Sequence, residues 1–414
     1  MKKLFILMAV AIFVVGSIVP AMAQDKTWSW YGSARMWTEY RSVDKEVSTS
    51  TIVSNPLKGI DDEEELVWDI QGNSRLGVIA KWGDIGGQIE YGTGVNLRLL
   101  YGTWNFGPGT LVFGQDYTPS LWGVSSQCGF GGGDCGLIGW GEVYTGRQPQ
   151  LKLVMGNFQV ALIKPAATQL FSTAGGEPRT VQVAAGSSPP SGGIFLSSDG
   201  TFDYYLVAGS TPNFSAVDTD FTLPKIEASY VFNLGPAAIH MTAGYNTADL
   251  QGVSTATGLL QEKSLDSWLA AIGAKFNFGP FYVNGKVAYS QNPGSYGMSQ
   301  DIGLRTPSYS LATNDFNDVD SLQGLLVFGF KMSDAIKFEG GFGFVSNERD
   351  NAPGITQEEE SWAYYIQMSW SPAKNVFIIP EFGVVDYGDR EVTGAADVNL
   401  GKATYFAVKW QINF

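Results

Sequence analysis

The sequence predicts an all-β fold, a closed antiparallel transmembrane barrel of about sixteen strands, and three observations predict it. Apolar and polar residues alternate along many short segments. Tight turns rich in Gly, Pro and Asn alternate with long polar stretches. After Gln24 no apolar run reaches the ~20 residues that a membrane-spanning helix needs, although 44% of the 414 residues are hydrophobic and 13% aromatic.

The first 23 residues stand apart from this pattern. Lys2-Lys3, the apolar run Leu4 to Val19 and the small-x-small Ala21-Met22-Ala23 have the order of a secretory signal. A membrane helix is the other reading, and the Ala-x-Ala ending favours cleavage. Residues 24–414 are then expected to form one barrel rather than two soluble domains.

The C-terminal segment shows the alternation most clearly. Phe406, Val408, Trp410, Ile412 and Phe414 are apolar, while Ala407, Lys409, Gln411 and Asn413 between them are mostly polar. Successive strand side chains point to opposite faces, so one face is apolar and the other wet. The same holds for Trp362, Tyr364, Ile366, Met368 and Trp370, and for Trp268, Ala270, Ile272, Ala274, Phe276 and Phe278. Strands are expected near 28–42, 66–82, 85–92, 95–106, 109–116, 147–155, 158–164, 223–233, 236–245, 266–278, 281–290, 321–331, 336–346, 361–370, 375–386 and 403–414.

Asn105-Phe106-Gly107-Pro108, Asn233-Leu234-Gly235-Pro236 and Asn277-Phe278-Gly279-Pro280 are tight reversals, as are the segments at Gly83-Asp84, Gly156-Asn157, Lys331 to Asp334 and Ser371 to Lys374. Long loops are expected over 43–65, 117–147, 165–222, 246–264, 291–320, 347–360 and 387–402, with one short exception at Thr93-Gly94. Lipid offers no hydrogen-bond partner, so strands can cross it only in a sheet without edges. Trp82, Trp104, Phe278, Phe281, Trp370 and Trp410, near turns, suit an interfacial girdle. Sixteen strands leave a wet lumen, whereas eight are filled by side chains.

A net charge of −14 argues against nucleic acid as a partner. Cys128 and Cys135 flank a glycine-rich hexapeptide, and in an oxidising compartment a disulfide between them is expected. Two cysteines and the single His240 do not make a four-ligand metal site, so no metal or other cofactor is expected. His240 has no evident nucleophile near it in sequence, which argues against an enzyme. The acidic runs Asp61 to Glu65 and Glu358 to Glu360 read as solvated loop charge, with divalent cations bridging lipopolysaccharide phosphates as the other reading.

Asn73-Ser74-Arg75-Leu76-Gly77, Val95-Asn96-Leu97-Arg98, Gly109 to Pro119, Phe130-Gly131-Gly132-Gly133-Asp134 and Tyr144-Thr145-Gly146-Arg147 occur in that order, and the chain ends in Phe414. Together they resemble the general diffusion porins of Gram-negative bacteria, in strand order over residues 24–414 and in wording from about Asn73 to Pro165. The resemblance implies an outer-membrane homotrimer, set in lipid and lipopolysaccharide, through which ions and small polar solutes diffuse passively. It implies a third loop, about 117–147, folded into the barrel. Arg75, Arg98 and Arg147 would be its wall arginines, facing loop acids Asp134 and Glu142 across a pore constriction. Trp410 and Phe414 would carry the assembly signal.

The sequence departs from the family at Gln115-Asp116, where another arginine is common, and this predicts a shift toward cations. It departs also in the very short second loop at Thr93-Gly94, where the family latches onto a neighbouring subunit, and in the long fourth loop, 165–222. Rival readings are a sugar- or anion-selective channel and a surface adhesion barrel. Tyr31, Tyr365 and Phe377 are candidate lumen aromatics for the first.

Overall fold

The computed structural model describes residues 26–44, 64–133, 136–166, 179–185, 194–198, 202–207, 218–251, 262–310, 315–352 and 354–414. The expected signal segment, Asp61 to Glu63, Asp134 and Cys135 lie outside the described residues, and so therefore does the expected disulfide.

Sixteen strands close into one antiparallel barrel. They are β1 (Lys26–Asp44), β2 (in two parts, Glu65–Ile70 and Arg75–Trp82), β3 (Ile85–Gly92), β4 (Leu97–Asn105), β5 (Thr110–Tyr117) and β6 (Arg147–Met155). They continue as β7 (Phe158–Ile163), β8 (Lys225–Leu234), β9 (Ala237–Gln251), β10 (Lys263–Phe278) and β11 (Phe281–Gln291). The rest are β12 (Val319–Lys331), β13 (Ile336–Ala352), β14 (Ile355–Ala373), β15 (Val376–Asp386) and β16 (Lys402–Asn413). Each pairs with the next, and β16 returns to β1 from Ser33 opposite Asn413 to Asp44 opposite Lys402. Phe414 locks this seam, since its backbone exchanges two hydrogen bonds with Gly32.

The alternation works as the physics requires. Outward side chains such as Trp82, Phe278, Phe281, Trp370, Trp410 and Phe414 stay exposed at the end of the barrel that carries the tight turns. Inward ones are mostly polar or small. One interruption lies in β2. There Ser74 Oγ accepts from the Arg35 backbone N–H and donates to the Arg35 carbonyl, both at 3.0 Å, so a side chain fills the gap in the ladder.

The region 347–360, expected to be a loop, is strand instead. β13 and β14 stay paired out to Ala352 opposite Ile355. Its polarity reads as loop, but the alternation persists, and the inward Asn347, Arg349, Gln357 and Glu359 are all buried and hydrogen-bonded. The Glu358 to Glu360 run is therefore not outer-loop charge. Glu359 is fully buried and ion-paired with Arg390.

The long segment between β11 and β12 also departs from expectation. The first part of the sixth loop, residues 292–307, turns into the barrel mouth through a single helical turn, Pro293–Tyr296, all four of whose residues are buried. The apolar positions Tyr296, Met298, Ile302 and Leu304 are buried as well. In the fourth loop, Arg179–Ala184, Ile194–Ser198 and Phe202–Val207 pair into a separate small sheet.

Candidate functional site

The lumen is divided by what covers its wall. The third loop, described over residues 118–133 and 136–146, leaves β5 along the inside of the barrel and comes back to β6. On its outward arm the Ser120 N–H donates to Glu227 of β8 at 3.1 Å. The Trp122 ring then stacks on His240 of β9, with centroids 5.2 Å apart. Asn284 of β11 donates to the Val124 carbonyl at 2.8 Å, and the Ser126 N–H donates to Glu339 of β13 at 2.7 Å. The Cys128 and Gly129 N–H groups both donate to Glu381 of β15, at 2.7 and 2.9 Å. The Gly131 N–H donates to Glu39 of β1 at 2.9 Å, and Asn73 reaches the Gly133 carbonyl at 2.6 Å.

Four wall glutamates thus hold the loop by its peptide N–H groups. Glu227, Glu339, Glu381 and Glu39 are at most 3% exposed. A buried carboxylate is tolerated only when paired and hydrogen-bonded. Each of these has an aromatic donor in addition to the loop: Tyr296 for Glu227, Tyr282 and Tyr365 for Glu339, Tyr405 for Glu381 and Trp37 for Glu39. Several of these tyrosines lie flat across a glycine of the neighbouring strand. Tyr365 covers Gly341, where a Cβ would come within 2.6 Å of the ring, and Tyr405 covers Gly383 in the same way. The missing side chain is what lets the ring lie down and its hydroxyl reach the acid.

The returning arm closes the belt. Gly141, at φ 102°, lets the chain lie against the backbone of Gly324 in β12. Trp140 donates to Ser361 of β14 at 2.8 Å, and Thr118 and Thr145 cinch the loop's base at 2.6 Å. The sixth loop lies on this arm, with the Ser299 N–H on the Tyr144 carbonyl at 2.8 Å. Asp301 of the sixth loop accepts from the Tyr387 hydroxyl at 3.1 Å, and burial pushes its carboxyl above the usual range.

The remaining wall, from β1 to β6, is lined by arginines. Glu90 of β3 receives Arg98 Nε at 2.7 Å and Tyr31 OH at 2.8 Å, with Arg75 Nη1 at 3.7 Å. Arg98 also donates to Asn73 at 2.7 Å and to the Tyr117 hydroxyl at 3.4 Å. Arg147 stands over the same Tyr117 ring, 5.6 Å from its centre. Arg35 of β1 donates to Ser33 at 2.8 Å. Deeper, Lys152 pairs with Asp116 at 2.5 Å.

The structure brings Arg75, Arg98 and Arg147 together through Glu90 and Tyr117. Glu142 lies elsewhere: it is 1% exposed, ion-paired with the buried Lys286 of β11, and it accepts from the Val124 N–H at 3.2 Å. It does not face the arginines. His240 is buried under Trp122, whose ring stacks on it. Tyr31 and Tyr365 do face the lumen, but each lies on a glycine and serves a glutamate rather than forming a track. The wall glutamates and the inward sixth loop were missed from sequence. A usable signal was there: Glu339 and Glu381 each hold an inward position of an alternating strand two residues before a glycine.

No protein-family model matches the chain, and no curated protein does. Solved structures do match in fold. The outer-membrane channel DcaP of Acinetobacter baumannii superposes with a TM-score of 0.61 at 14% identity, over 95% of this chain and 100% of that one. OmpT of Vibrio cholerae gives 0.52 at 14% identity, over 95% and 100%. An anion-selective porin from Comamonas acidovorans gives 0.51 at 11% identity, over 94% and 100%. The chain has the closed, sixteen-stranded antiparallel β-barrel fold shared by these outer-membrane proteins.

Proposed function

We propose that this barrel is a porin, a passive water-filled passage for ions and small hydrophilic solutes. One observation carries the reading: the third and sixth loops are bonded to the lumen wall from β8 round to β1, while Arg75 and Arg147 on the polar wall of β2 to β6 stay partly exposed beside them. A narrow polar passage between a fixed loop and a charged wall admits hydrated solutes and disfavours apolar ones. Arg75, Arg98 and Arg147 are the residues that set its character, and Asp134 at the loop tip is a further contributor.

The active form we propose is a homotrimer. The upper part of β2, Glu65–Ile70, pairs with β1 along one edge and with no strand along the other among the described residues. Its Leu66, Trp68 and Ile70 are 66–68% exposed. An unpaired apolar edge is costly in lipid and is relieved by a neighbour. A neighbour in fold, OmpT of Vibrio cholerae, is described in a trimer form. Residues 1–23 act as the export signal, Trp410 and Phe414 as the assembly signal, and Cys128 pairs with Cys135.

Single-channel recording in a planar lipid bilayer tests the reading. Stable current steps, with no added energy source or substrate, are expected. Correctly folded protein that inserts and gives no steps would overturn it in favour of a surface or adhesion barrel.

A further inference from the structure

The open wall carries more positive than negative charge. Arg75 and Arg98 share a single carboxylate, Glu90. Arg147 has an aromatic neighbour, Tyr117, and no carboxylate within ion-pair distance among the described residues. Lys152 and Asp116 cancel. On the opposite side Glu142 is paired with Lys286, Glu227 with Lys225 and Glu339 with Lys337, and Glu381 is met by two peptide N–H groups and the Tyr405 hydroxyl. The chain's −14 is carried elsewhere. Asp320, Glu348, Glu358 and Glu391 stand in register across the outer face of the strand extensions at the loop end, away from the lumen.

We infer that the passage selects for small organic anions bearing a carboxylate. This rests on the porin reading and runs opposite to the shift toward cations that Gln115-Asp116 suggests. The wall already displays the preferred ligand in Glu90, a carboxylate held by two guanidinium groups and a tyrosine hydroxyl. A guanidinium offers a planar fork that matches a carboxylate, whereas a chloride ion uses only its charge. Arg147, with its guanidinium over the Tyr117 ring and Tyr144 tilted against that ring at 6.4 Å, sets two half-buried aromatic rings beside the charge for the body of the solute.

The test uses the full-length barrel in a planar bilayer with a gradient of sodium benzoate. The reversal potential should show benzoate more permeant than sodium. Arg147→Ala and Arg75→Ala should each lower the benzoate-to-sodium permeability ratio by about sixfold, because one unit charge at roughly 8 Å in water-like dielectric shifts each ion about two- to threefold and in opposite directions. Lys331→Ala, at an exposed tight turn, should leave the ratio unchanged. Current steps with sodium more permeant, or a ratio that neither arginine variant moves, would overturn the inference while leaving the porin intact. Absence of any current would instead strike the porin reading itself.

Discussion

The two sides of the lumen solve the same problem in different ways. Both place glutamates inside the barrel wall, and both press a tyrosine over a glycine to reach them: Tyr405 over Gly383 for Glu381 on one side, Tyr31 over Gly77 for Glu90 on the other. On the covered side the acids receive peptide N–H groups from the third loop. On the open side Glu90 receives Arg98 and Arg75. A wall that binds backbone becomes a mount for the loop, and a wall that binds arginine becomes a charged surface. The difference lies in the partner rather than in the acid.

The comparison is broken most severely by Glu381→Leu. That change strands the Cys128 and Gly129 N–H groups and the Tyr405 hydroxyl, each at roughly 1–3 kcal/mol. The loop should come away, with higher and noisier single-channel conductance and a lower thermal unfolding midpoint in detergent. Glu90→Gln, its counterpart on the open side, should leave the conductance level alone and raise anion preference.

Lys286→Met comes next. It leaves Glu142 buried without its cation, at a cost of about 3–5 kcal/mol. Pairing it with Glu142→Leu should restore most of the lost thermal stability, because neither partner is then an uncompensated charge. A double variant no better than the single one would show that the pair does more than neutralise itself.

Gly383→Ala and Gly77→Ala probe what the two walls share. A Cβ at either position meets the covering tyrosine ring, and overpacking of this kind costs roughly 1–3 kcal/mol. Both should lower the unfolding midpoint similarly. Only Gly383→Ala should also alter conductance, because only Glu381 holds the loop.

The smallest expected effect is a pH dependence. Asp301, buried in the sixth loop, has its carboxyl raised. A raised folded-state value means that the stabilisation is fully present below the unfolded value, about 3.9, and is lost as pH rises through the folded value. Wild-type protein should therefore gain a little stability between about pH 8 and about pH 4 relative to Asp301→Asn. The variant should be the more stable of the two at neutral pH. The comparison of thermal midpoints at both ends checks the sign.

The strands were legible because alternation is a property of the residues themselves. Trp362 to Trp370 and Phe406 to Phe414 show it without reference to anything distant. Where the strands rise beyond the bilayer, as at Ser346 to Glu360, the outward face turns polar too, and the same chain then reads as loop. The break in β2 was hidden because it depends on Ser74 substituting for a peptide group of a partner strand. Arg75, Arg98 and Arg147 could be placed on one wall from the motifs around them. Glu339 and Glu381 were marked only as acids shortly before a glycine, and what they hold could not be read, since their partners lie as far away as the 253 positions that separate Glu381 from Cys128.

Because the mounts engage the main chain at Ser126, Cys128, Gly129 and Gly131, the belt is held largely by its backbone, with the Ser126 hydroxyl adding a further bond to Glu339. Where the local backbone angles allow, side chains facing the passage can be exchanged without disturbing their own support. The molecule therefore contains an interchangeable lining on a permanent frame, a natural place for both mutation and engineering to rewrite what gets through.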